Sequence, residues 1–360
     1  MALNMSKKIG LVTEIKKSYE DFQEILVSIE GTIGRAINYP AISGMVKVND
    51  EVVLNTTAVE MSLGTGGNHF VICNLNSMES SLDSNGHIMK MRYAPQQIKC
   101  MSVEEQDSPY HEAIKNFKTL DGLKVVVGTL HSMLPAFLAT LKYKSNDLKT
   151  AFVMTDGAAL PIQLSNAVRE LKEKKLLDAT ITTGHSFGGD FESVNFYTGI
   201  IAAKEVVKAD VVIVAMGPGI VGTGTKYGFS GVEQGYILDG VNSIGGRAIA
   251  IPRISFGDKR ERHQGLSHHT RTILGEISKT KIHIPINIQD EDNLSLVKRQ
   301  IIESKLDLKH DIHYIDSDYT KEALDKYGLK VKTMGRSYEE DSEFFKAAGG
   351  AAIAINNKQI

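Results

Sequence analysis

"ADVVIVAMGPGIVGTGTKYGFSG", Ala209 to Gly231, carries the two signals that decide the fold. Its first part is an apolar run of strand length, and a strand apolar on both faces belongs in a parallel sheet covered on both sides. From Gly217 onward, six of fifteen residues are glycine. Backbone without side chains reaches positive φ and allows close approach. A strand, then bare peptide groups, then a helix is how a doubly wound domain offers N–H groups to a ligand.

Working outward, the same rhythm recurs. Strands are expected at 123–131, 150–157, 179–185, 247–252 and 281–287, with a further one at 311–316. Between them lie helix-length segments such as "LPIQLSNAVRELKEKKLL" and "ESVNFYTGIIAAKEVVK". Alternation of this kind predicts a Rossmann-like, three-layer αβα domain with a mostly parallel sheet. Upstream, residues 1–105 alternate polar and apolar positions over short stretches, including "QEILVSIEG" and "VKVNDEVVLN" with its Asn-Asp turn. A small antiparallel β-barrel is expected there, and the α/β domain over 106–360.

Composition narrows the function. Of 360 residues, 42% are hydrophobic and 23% charged, with a net charge of -2. No basic excess points to a nucleic-acid backbone. No long uncharged apolar run suggests a membrane span or a leader. Two cysteines, Cys73 and Cys100, suit a reducing, cytoplasmic setting.

Parallel strands deliver their following loops to one edge, where ligands bind in such folds. Those loops carry His131, Asp156, His185, Asp190, Glu192 and Arg253. The glycine stretch adds Gly217, Gly219, Gly222, Gly224, Lys226 and Ser230. Free N–H groups, the lysine and a helix start at Ser230, capped in a box with Glu233, suit a small anion such as a phosphorylated metabolite or nucleotide. His185, Asp190, Glu192 and Asp156 are the expected catalytic groups. The dinucleotide fingerprint fails in context, since Pro252 and Arg253 stand where a ribose-binding acid belongs, and the Walker pattern lacks its glycine before Lys226.

Two other constellations compete. Gly184-His185-Ser186-Phe187-Gly188 matches the nucleophile elbow of serine esterases, with Asp258 and His263, His268 or His269 in the right chain order. Those three histidines, with the acids above, also admit a divalent metal, although adjacent His268 and His269 cannot share one helix face.

Taken whole, the chain resembles an uncharacterised bacterial family of the domain-of-unknown-function type (DUF3866). The stretches that carry the likeness include "MTDGAALP", "AMGPGIVGTGTKYGFSG" and "IPRISFGDKRERHQGLSHHT". The resemblance implies a cytoplasmic bacterial protein of two parts and transfers no activity or ligand. The residues leave three readings: an enzyme or binding protein for a small anion, a serine esterase using Ser186, and a non-catalytic metabolite sensor or assembly protein. Homo-oligomerisation stays open.

Overall fold

The computed structural model describes residues 4–63, 66–77, 79, 81, 82 and 85–360. The chain divides into two compact units, residues 1–85 with 91–98 and residues 86–90 with 99–360.

In the first unit, β1 (Lys7–Ser18), β2 (Gln23–Ile29), β3 (Thr32–Asn38), β4 (Glu51–Asn55) and β5 (Asn68–Asn74) close into a barrel in the order β1-β2-β3-β5-β4. Closure leaves no unpaired edge. Alternation does the work: Val52 and Leu54 point inward from β4 and are fully buried with Val12, Ile25 and Val27. Each such burial contributes about 1.5–3 kcal/mol. The barrel is not purely antiparallel, because β3 and β5 run parallel. The Asn-Asp turn forms as expected, with Asn49 at φ 75° and the Asp50 carboxylate accepting the Lys47 N–H.

The second unit holds an eight-stranded, wholly parallel sheet. Its strands are β6 (Lys124–Val127), β7 (Thr150–Thr155), β8 (Ala179–Thr183), β9 (Phe191–Ser193), β10 (Val211–Met216), β11 (Arg247–Ala250), β12 (His283–Ile286) and β13 (Asp311–Tyr314). Their spatial order is β9-β8-β7-β10-β6-β11-β12-β13. Consecutive residues face opposite layers. Val126, Phe152, Met154 and Ile213 pack with helix α1 (Leu134–Lys144), while Val125, Val153, Val212 and Val214 pack with the opposite layer. That layer includes α3 (Phe196–Ala202) and α4 (Glu233–Ser243), whereas α2 (Asn166–Glu173) joins α1.

This arrangement fixes where the sheet opens. After β6 the chain turns into α1 on one face and goes on to β7; after β10 it turns into α4 on the other face and reaches β11. β6 and β10 are neighbours, so the two connections part above them. That is a topological switch point, where the loops leave a crevice.

Two local expectations fail. The stretch "EEDSEFFKAAGGAAIAIN" reads in the sequence as a helix, a Gly-Gly stop and a final strand, but residues 342–356 form one helix, α6 (Ser342–Asn356), that runs through Gly349-Gly350. The glycines sit at close approaches: a Cβ on Gly350 would lie 2.6 Å from Asn287 Cβ. The capping box at Ser230 does not form either. Its hydroxyl accepts the Val221 N–H, residues Ser230–Val232 make a 3-10 turn, and Glu233 reaches Thr155 instead. Among the described residues no helix is long and apolar enough to cross a membrane.

Candidate functional site

The crevice above β6 and β10 is a cavity of about 380 Å³. Small-ligand pockets start near that size, at roughly 300 Å³. Three segments build it: His131 and Ser132 at the turn into α1, Asn166 and Ala167 opening α2, and Gly217 to Ile220 after β10. Glu170, Lys330 and Lys332 also line it.

Its walls are rich in unused donors. The N–H groups of His131, Ser132, Asn166, Ala167, Gly219 and Ile220 have no acceptor among the described residues. First-turn N–H groups cannot pair within a helix, and bare peptide at Gly219, held at φ 107°, adds two more. Neither Lys330 nor Lys332 forms an ion pair among the described residues. His131 is positioned by Ser165, whose hydroxyl lies 2.5 Å from Nε2 and also caps α2 by accepting the Val168 N–H. Burial pushes the His131 pKa down to about 4 against the pull of the Met216 carbonyl, so the ring is neutral at pH 7.

A second cavity, of about 200 Å³, opens over the ends of β7 and β8. Asp156, Gly184 and Tyr236 line it, with Glu233 from the start of α4. The Thr155 hydroxyl donates to Glu233 Oε1 at 2.5 Å. Burial raises the Glu233 pKa to about 7, the Asp156 charge adds to the rise, and the Thr155 hydrogen bond opposes it. Sequence reading placed Glu233 in a helix cap and missed this carboxyl. An acid at the first turn after a glycine-rich loop is the only trace it leaves in the sequence.

The segment after β11 forms a third cluster. Asp258 takes both nitrogens of the Arg260 fork, at 2.9 and 2.7 Å, and lies 3.4 Å from Arg253 and 3.6 Å from Arg336. Arg260 holds its carboxyl well below the usual range. Burial pushes Arg253 down to about 10. His263, His268 and His269 gather here, with one ring nitrogen of each within 4.8 Å of the others. All three join because α5 (His268–Thr272) only begins at His268, so helix periodicity does not yet separate the pair. Burial, then neighbouring charge, lowers His263 and His269 to about 3 and keeps them neutral.

The remaining expected residues spread out. His185 and Asp156 stay together, the Asp156 carboxylate accepting the His185 N–H at 2.8 Å. Asp190 sits by the start of β8, bound to Thr180 N and Lys172, at the opposite edge of the sheet from the cavities. Glu192 is 2.5 Å from the fully buried Lys90 and accepts from Thr182 and Gly188. Lys226 pairs with Glu276 at 2.8 Å. Gly222 approaches His269 and Gly224 approaches Arg262, so the outer half of the glycine loop overlies the histidines. Ser186 is buried, its hydroxyl donates to the Thr155 carbonyl, and it is absent from the positive-φ positions that an elbow nucleophile requires.

Residues 35–352 match the family described as "Protein of unknown function (DUF3866)", and the chain belongs to it. No curated protein and no solved structure matches the chain.

Proposed function

We propose that this DUF3866 family member binds a small anionic metabolite, through its phosphate or carboxylate group, in the cavity between the ends of β6 and β10. The supporting observation is the set of six backbone N–H groups without acceptors on the walls of one cavity, at a topological switch point, with Lys330 and Lys332 beside them. Two of the three segments are helix starts, whose partial positive charge favours an anion. A thermal-shift panel of nucleotides, sugar phosphates and small carboxylates tests it. Ligands of this class should raise the melting temperature by mass action, and Lys332→Glu should blunt the shift. A panel without effect speaks against the reading.

One observation favours turnover over binding alone. Glu233, a carboxyl whose pKa burial raises to about 7, with the Asp156 charge adding to the rise, is suited to general acid–base work in the second cavity. Conversion of a ligand found by the panel, abolished in Glu233→Gln, would support an enzyme; tight binding without conversion would favour a sensor.

A further inference from the structure

We propose a second, separate oxyanion site beneath the outer half of the glycine loop, formed by Arg253, His268 and His269. The ligand class is a phosphate-like oxyanion.

Charge is the first argument. Arg253, Arg260 and Arg336 all lie within 3.6 Å of Asp258, so the buried Arg253 shares its carboxylate with two further guanidinium groups. Arg253 and Asp258 are almost completely buried. Guanidinium groups gathered around one shared carboxylate keep donors for a further anion.

Unused donors are the second. Arg253 spends its terminal nitrogens on His269 Nδ1 and Asp258, yet among the described residues its buried Nε has no partner. The buried His268 Nε2 has none among them either. Guanidinium can only donate, so its contact with His269 Nδ1, at 3.4 Å, leaves the ring proton of His269 on Nε2. That nitrogen is then a donor too. Orphaned buried polar groups call for a missing partner.

Charge decides between an oxyanion and a metal, since one ring nitrogen of each of His263, His268 and His269 lies within 4.8 Å of the others, a spread that admits either. A dication would meet the buried Arg253 as a like charge, whereas an oxyanion would meet it as an opposite one.

Phosphate titration by calorimetry tests the site on three proteins: wild type, His268→Gln and Lys332→Glu. His268 is the choice because it is only half-buried. Expected are binding to wild type and to Lys332→Glu, and binding at least about tenfold weaker in His268→Gln, the loss of one charge-assisted hydrogen bond. Four results would overturn the proposal: no phosphate binding to wild type, equal binding by His268→Gln, stoichiometric zinc that excludes phosphate, or weakening in Lys332→Glu alone, which would locate the phosphate in the switch-point cavity. Should His268→Gln fail to fold, the wild-type imidazole 15N resonances of His268 and His269 decide, since phosphate must shift them. Phosphate binding in the switch-point cavity would appear as a separate binding event that Lys332→Glu removes and His268→Gln leaves, so the two sites are read apart.

Discussion

His269 lies flat against Phe229, ring centroids 3.8 Å apart and planes 6° from parallel. Phe229 is buried at the end of the glycine-rich loop, so this stack ties an otherwise side-chain-poor segment to the histidine cluster. Phe229→Leu keeps an apolar side chain and removes the stack. It should lower stability by about 1–2 kcal/mol and speed amide exchange across 219–228. Unchanged exchange there would mean that the loop is held by other contacts.

Lys90 and Glu192 form a pair that is 0% exposed on the lysine side and 14% on the glutamate side. Removing one partner strands the other, and Lys90→Met should destabilise the protein by about 3–5 kcal/mol in urea unfolding. Lys90→Met combined with Glu192→Gln should recover much of that loss. A double variant no more stable than Lys90→Met would contradict the structural role assigned to Glu192.

Glu233 predicts a pH dependence with a definite sign. Its pKa is raised from 4.5 to about 7, so the folded state holds the proton more tightly than the unfolded chain. The stabilisation it provides is complete below pH 4.5 and is lost as the pH climbs through 7. Glu233→Gln mimics the protonated form. Relative to wild type it should therefore gain stability between pH 5 and pH 8, by on the order of 1–3 kcal/mol. Parallel stability curves for the two proteins would refute the assignment.

Gly349 should resist substitution. Alanine has the better helix propensity, by about 1 kcal/mol. A Cβ at this position would nevertheless collide with the Thr320 hydroxyl. Overpacking of that kind outweighs propensity, and Gly349→Ala should lose about 1–3 kcal/mol on thermal unfolding. A stabilised variant would show that α6 and Thr320 can separate freely.

That glycine pair also marks a limit of what the sequence discloses. Strands β6 to β8 and β10 to β12 are legible because each is an apolar run whose burial dominates its local energetics, and their order along the chain implies a parallel sheet; β9 (Phe191–Ser193), short and mostly half-buried, falls in a stretch that reads as the start of a helix. Gly349-Gly350 was legible only as a helix stop, since the neighbours that require small residues, Thr320 and Asn287, are distant in sequence. The candidate site shows the same division. His131, Gly217 and Gly219 follow directly from strand ends and do meet at one cavity. Asp190 also follows a strand, but residues 184–190 return without a helix to the start of β8. Gly188, at φ 85°, and Gly189, where a Cβ would lie 2.9 Å from the Phe191 carbonyl, permit the reversal. Charge pairing of Arg253, Arg260 and Arg336 around Asp258 depends on tertiary contact and leaves no spacing to read.

The most direct test of anion binding at the switch point is a 1H–15N TROSY titration of the labelled protein with the ligand that gives the largest thermal shift. Saturable downfield shifts of the Ser132, Ala167, Gly219 and Ile220 amides, absent in Lys332→Glu, are the result expected. Saturation that leaves these four resonances unmoved while others respond would contradict it.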